Sequence, residues 1–151
     1  MPNEEKIQQE LSAKFNFLSG NIQIVRPRRI SVSVAEYKNF RPVFEFAAKE
    51  LNFIHLCMIT GLDDGEVLSF IYHLAQDGGA LLNIKVSIPK TDPKLNTVID
   101  LFPGAEIYER ELVDLLGVNV EGLPSGNRYP LTDDWPKDQF PLRKDWQPPK
   151  E

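Results

Sequence analysis

Phe53-Ile54-His55-Leu56-Cys57-Met58-Ile59-Thr60, then the turn-forming Gly61-Leu62-Asp63-Asp64-Gly65, then Glu66 to Ala75, Asp77-Gly78-Gly79 and Ala80 to Ile88: this stretch decides the fold. Three runs rich in β-branched, aliphatic and aromatic residues are separated by glycine and aspartate clusters too short for a helix. They read as three consecutive strands, the last two joined by a hairpin turn at Asp77-Gly78-Gly79. The first run is the most continuously apolar, which predicts a central position in the sheet. Pro89 and Pro93 close the series.

Upstream, the period changes. Ile7, Leu11, Phe15 and Leu18 recur at helical spacing among Glu, Gln and Lys, which predicts an amphipathic helix over 4–18 stopped at Gly20. Ile22-Gln23-Ile24-Val25 and Ile30-Ser31-Val32-Ser33-Val34 alternate as strands do, with Pro27 at a break or an edge, so the segment holds one strand or two. Tyr37, Phe40, Phe44, Ala47, Ala48 and Leu51 return to helical spacing over 35–51, where Pro42 marks either a kink or the true start.

Downstream, 92–100 has room for a short helical turn before a charged helix over 104–116, with Pro103 in its first turn and Gly117 at its end. The order predicts an α+β domain: one mixed β-sheet covered by helices on one side, followed by an extended proline-rich C-terminal tail. Residues 1–118 form the expected α+β domain and 119–151 the tail.

The net charge of −5 lacks the basic footprint that general nucleic-acid binding requires. Cys57 is the single cysteine; one thiolate cannot hold an iron–sulfur cluster or a thiolate zinc site, and the expected role is a buried small hydrophobe in a reducing compartment. The charged amino terminus predicts no signal peptide, and no apolar run reaches membrane-spanning length. His55 and His73 fall on different strands, where core hydrogen bonding is the expectation.

On helix 104–116, Tyr108, Leu112, Leu115 and Leu116 share one stripe, expected to face the core. Glu106, Arg110 and Asp114 share another and can form a solvated ladder flanked by Glu109 and Glu111. Glu106, Glu109 or Asp114 could serve acid–base chemistry if desolvated in a cleft. The tail holds six of the twelve prolines and both tryptophans, Trp135 and Trp146. Its apolar side chains offset too little of its ordering entropy for it to fold on its own. It must lie along the domain, lie along a partner, or stay mobile. Regular aromatic anchors favour docking, which makes Arg128, Arg143 and Lys144 candidates for charged contacts.

Phe102-Pro103-Gly104-Ala105, Tyr108-Glu109-Arg110-Glu111, Asp114-Leu115-Leu116-Gly117, Glu121-Gly122-Leu123-Pro124, Asp133-Asp134-Trp135-Pro136 and Pro141-Leu142-Arg143-Lys144-Asp145, in that order, resemble the 30 kDa subunit family of respiratory complex I. That family includes the corresponding subunit of bacterial NADH–quinone oxidoreductase and related subunits of membrane-bound energy-converting nickel–iron hydrogenases. Complex I members usually carry Gly-His-Pro where this chain has Gly122-Leu123-Pro124, which is more similar to the hydrogenase branch. There the domain can be fused to the large subunit; here a stand-alone subunit is expected.

The resemblance implies a non-catalytic subunit of the hydrophilic arm, supporting assembly and electron transfer. Its partners would be the hydrogenase large subunit (49 kDa-type) and the small iron–sulfur subunit, or their equivalents in a complex I-like quinone oxidoreductase. It implies no cofactor on this chain; iron–sulfur clusters, and a nickel–iron centre in the hydrogenase branch, belong to the complex. It also implies a cytoplasmic location, peripheral on the membrane through the complex alone. Glu109, Arg110, Glu111 and Asp114 would support the partner contact, with Arg128, Trp135, Arg143, Lys144, Asp145 and Trp146 from the tail.

Overall fold

The computed structural model describes residues 3–151. The elements run α1 (Asn3–Lys14), β1 (Ile22–Arg26), β2 (Arg29–Val34), α2 (Phe40–Lys49), β3 (His55–Asp63), β4 (Val67–Ala75), β5 (Leu81–Pro89), β6 (Lys94–Asn96), α3 (Ala105–Leu116) and β7 (Asn119–Glu121). Five strands form a sheet in the order β1-β2-β5-β4-β3. β1 pairs antiparallel with β2, and β2 pairs parallel with β5 (Arg29 opposite Leu81, Val34 opposite Val86), so the sheet is mixed, as expected for an α+β fold.

The run 53–60 was expected at the centre of the sheet, but β3 is an edge strand and β5 is central. Ile54 and Met58 are exposed, and so are His55 and Cys57. Continuous apolarity signals burial only where other elements cover both faces of a strand, and on this edge strand several side chains are left uncovered. Cys57 is therefore not the buried hydrophobe its composition suggested. The central strands alternate cleanly: Leu68, Phe70, Tyr72 and Leu74 on β4, and Leu82, Ile84, Val86 and Ile88 on β5, are buried while the residues between them are mostly half-buried.

The chain divides into two compact units. One is the chain up to Thr60 together with Phe70–Ser87; the other is Gly61–Ser69 together with Ile88–Glu151. In the first, α1 buries Ile7 and Leu11 and stops at Lys14, short of the expected 18, because Phe15 takes an extended backbone and its ring meets Phe46 edge-on at 5.5 Å. Pro42 lies in the first turn of α2, where its missing N–H breaks no helical bond, so it marks a start and not a kink. Phe40 and Phe44 pack on the Tyr72 ring at 4.6 and 5.3 Å. His73 is tied on both ring nitrogens, to Thr60 Oγ1 at 2.8 Å and Asn83 Oδ1 at 2.7 Å. His55 instead meets Asp77 in solvent.

In the second unit, the segment 92–100, expected to hold a short helical turn, first runs extended as β6, which pairs in parallel with β7 (Lys94 opposite Asn119, Asn96 opposite Glu121), and turns only beyond it, where the Leu101 and Phe102 N–H groups donate to the Val98 carbonyl. Leu95 and Val120, opposite each other, are both buried, and that burial favours the extended form over a local turn. Gly104 caps α3 and Pro103 falls one residue ahead of the cap. Gly117 ends the helix at φ +72°, a left-handed conformation suited to glycine.

Candidate functional site

The candidate site is α3 and the tail that folds back along it. The buried stripe of α3 is Ala105, Glu109, Leu112 and Leu116; Tyr108 and Leu115, expected in the core, are only half-buried. Glu109 is 1% exposed and so does not flank a solvated ladder. Its Oε2 accepts the Thr97 hydroxyl at 2.6 Å and its Oε1 accepts the Val98 N–H at 2.8 Å. Burial pushes its carboxyl above the ordinary value, and the two hydrogen bonds oppose that rise. Its donors lie on the segment after β6, ahead of the helix, so nothing in the helical period announces them.

The ladder itself is half formed. Arg110 takes Glu106 Oε1 with Nε at 3.2 Å and Nη2 at 2.7 Å, and Nη2 also donates to the Pro124 carbonyl at 2.7 Å. A Cβ at Gly126 would stand 2.6 Å from that guanidinium, so the tail passes close to the end of the Arg110 side chain. Asp114 does not pair with Arg110. Its Oδ1 accepts Arg128 Nε at 3.3 Å and its Oδ2 accepts the Leu131 N–H at 3.1 Å, leaving it 7% exposed. Glu111 is half-buried, with no ionic partner among the described residues.

Further along, Arg128 Nη1 donates to the Trp135 carbonyl at 2.5 Å. The Trp135 and Trp146 rings stand 5.8 Å apart, and both indole N–H groups donate to Gln139, one to its backbone carbonyl and one to its side chain. Phe140 presses on Gly117, where a Cβ would meet its ring at 2.7 Å. The Leu142 N–H donates to the Leu115 carbonyl at 3.0 Å and Arg143 Nε donates to the Leu116 carbonyl at 2.7 Å, capping the helix carbonyls from outside. The Arg143 guanidinium also lies over the Phe140 ring at 5.0 Å. Lys144 and Asp145 are exposed.

Two partners of the tail escaped sequence reasoning. Asp63, 6% exposed, accepts the Gly65 N–H at 2.9 Å, the Lys90 ammonium at 2.7 Å and the Lys144 backbone N–H at 2.8 Å. The Lys90 bond, reinforced by the two N–H groups, holds its carboxyl well below the usual carboxylate range. Lys90 reaches Asp145 at 3.5 Å. Eighty-one residues separate Asp63 from Lys144, so no local signal could pair them. Exposed Ile107 was missed as well, whereas exposed Tyr129 is one of the apolar anchors expected in the tail. They line an open groove of about 490 Å³ with Glu106, Arg110 and Arg128.

None of the three carboxylates considered for acid–base work offers an unpaired group to a cleft: Glu109 is sealed off, and Glu106 and Asp114 are bound by arginines. Among the described residues no three His, Cys, Asp or Glu side chains gather as a metal site. No described helix is long and apolar enough to cross a membrane.

A mixed five-stranded sheet with three helices has counterparts among known proteins in both sequence and structure. Residues 33–151 match the model of the respiratory-chain NADH dehydrogenase 30 kDa subunit. The chain belongs to this family and is a complex I 30 kDa-type subunit. It is 31% identical to the C subunit of F(420)H(2) dehydrogenase from Methanosarcina mazei, over 92% of this chain and 89% of that one. It is 37% identical to the beta subunit of the membrane-bound hydrogenase of Pyrococcus furiosus, over 55% of this chain and 50% of that one. A chain in the structure of the membrane-bound sulfane sulfur reductase, an archaeal respiratory membrane complex, superposes with a TM-score of 0.80 at 29% identity, covering 95% of this chain and 85% of that chain.

Proposed function

We propose that this chain is the non-catalytic hydrophilic-arm subunit of a membrane-bound energy-converting complex of the nickel–iron hydrogenase branch. In this reading it docks on the large subunit and the small iron–sulfur subunit, peripherally on the cytoplasmic side of the membrane. One observation carries the reading. The tail has almost no regular structure of its own, is held on α3 by side-chain-to-backbone bonds, and still turns Tyr129 and Leu142 outward at 43% and 53% exposure. Exposed aromatic and aliphatic groups rimmed by arginines and carboxylates have the composition of an interface core and its polar edge.

Arg128, Trp135, Arg143 and Trp146 then present the tail, while Arg110, Glu111, Lys144 and Asp145 offer charge at its border. Glu109 and Asp114 act from inside, holding the 97–98 segment and the 128–131 segment in shape. Gly122-Leu123-Pro124 and the likeness to the hydrogenase beta subunit support the branch.

A second reading, the equivalent subunit of a complex I-like dehydrogenase, is favoured by one observation: the F(420)H(2) dehydrogenase subunit aligns over 89% of its length, against 50% for the hydrogenase subunit. Native purification of the tagged full-length chain from its own cells, with mass spectrometry and metal analysis, separates the two. A large subunit recovered with nickel and iron carries the hydrogenase reading. Iron and flavin without nickel carry the dehydrogenase reading. A chain recovered alone, under conditions that preserve membrane complexes, overturns both.

A further inference from the structure

The C-terminal segment 140–146 is pinned at two places within one compact unit. Helix α3 holds it through the Leu115 and Leu116 carbonyls, and a buried carboxylate at the end of β3 holds it through the Lys144 N–H. The second anchor is unlike ordinary tail contacts. The Asp63 side chain is 1% exposed and gathers three donors: an ammonium that is itself only 17% exposed, a turn N–H, and a main-chain N–H from the tail. Such a carboxylate is costly to leave short of donors, so each donor it loses weakens the fold locally by more than an ordinary hydrogen bond would. Lys90 adds a second link, since its ammonium also reaches Asp145. The main-chain N–H of Lys144 makes the anchor indifferent to that residue's side chain, which points to a positional role.

We propose that Asp63, with Lys90, is a positioning residue that clasps the tail in its folded-back path in the free subunit, so that a partner meets a preformed surface. Preorganisation of this kind lowers the entropy lost on association without adding any contact to the partner. The clasp itself stands without the docking reading; only its consequence for assembly rests on that reading.

Amide hydrogen exchange on the isolated full-length chain, followed by NMR, tests it. The Lys144 and Leu142 amides are expected to be protected in the unaltered protein. Asp63→Asn keeps the shape but removes the charge and leaves one oxygen for three donors, so an amide NH₂ faces either the Lys90 ammonium and the Lys144 N–H together or the Gly65 N–H. It should lower protection of both amides by about 10- to 100-fold, leaving Leu82 and Ile84 in the central strand unchanged. Lys90→Met should lower them as well, and Lys90→Arg, which keeps the cation, should restore most of the protection.

Exchange of the Lys144 amide at the rate of an unstructured chain would overturn the proposal. So would an Asp63→Asn protein with unchanged tail amides, or one in which Leu82 and Ile84 lose protection equally, since Asp63 would then serve the whole fold. If Asp63→Asn does not fold, Lys90→Met is read against the same criteria. Co-purification of Asp63→Asn with the native complex separates the two readings. Faster tail exchange with unaltered co-purification keeps the clasp and counts against docking through the tail.

Discussion

Replacing Glu109 should reveal what a buried carboxylate contributes to the α3 region. In Glu109→Ala the Val98 N–H loses its acceptor inside the protein, and the Thr97 hydroxyl loses one in a half-buried place. A buried donor left without a partner costs about 1–3 kcal/mol. The Thr97 hydroxyl can rotate towards water, so the Val98 N–H dominates. Adding the lost packing of the side chain brings the expected cost to about 2–5 kcal/mol. Glu109→Gln keeps the volume and one carbonyl oxygen. That oxygen can serve Val98 while the new NH₂ donates to the Thr97 oxygen, so the cost falls to about 1 kcal/mol.

The pH dependence has a definite sign. Burial raises the folded-state pKa of Glu109 above its unfolded value, so its stabilising contribution is complete below the unfolded value near 4.5 and is lost as pH rises through the folded value. The Gln variant does not titrate. Its deficit against the parent should therefore be largest near pH 4 and shrink towards pH 7. Urea unfolding of the full-length chain by circular dichroism, repeated across that range, measures both quantities. A Glu109→Ala protein within about 0.5 kcal/mol of the parent would refute the reasoning, because the Val98 N–H would then be satisfied some other way. So would a Gln deficit that grows with pH.

Further outcomes follow from the same contacts. Asp63→Asn should show the opposite trend to Glu109→Gln: its folded carboxyl lies below the unfolded value near 3.8, so the deficit is full at neutral pH and fades only as pH falls below about 4, again read by unfolding curves. Arg143→Ala should loosen the tail and weaken assembly more than Lys144→Ala. Arg143 caps Leu116 and covers Phe140, whereas Lys144 contributes its backbone; tryptophan fluorescence and co-purification report the two effects. Gly117→Ala should cost about 1–3 kcal/mol or more, from its left-handed backbone and the collision with Phe140; a neutral result in unfolding experiments would mean that Phe140 does not pack there in solution. Deleting 119–151 should leave the first compact unit folded, judged by the sheet signal in circular dichroism, and abolish recovery with the complex; continued co-purification would count against docking by the tail.

Much of the fold is local and was therefore legible. The strands over 66–75 and 80–88, the hairpin at Asp77-Gly78-Gly79 and the stop of α3 at Gly117 follow from side-chain alternation and a glycine left-handed turn. The motifs from Phe102 to Asp145 were enough to mark the family, because each is a short string of residues in a set order.

What the amino-acid string could not determine is where side chains find partners far along the chain. β3 reads as central and lies at an edge, because strand order depends on pairing between distant segments. Segment 92–100 reads as room for a short helical turn and yields a strand over 94–96, because β7 arrives twenty-five residues later to pair with it. Glu109 and Asp114 read as solvated helix charges. Thr97, Val98 and Arg128, brought close only by tertiary folding, make them buried and satisfied. Asp63 reads as a turn residue and holds the tail through a main-chain N–H eighty-one positions away. Periodicity fixes which face of an element a side chain occupies; what that face meets depends on long-range contacts, and those decide whether a carboxylate faces water or a ring of donors.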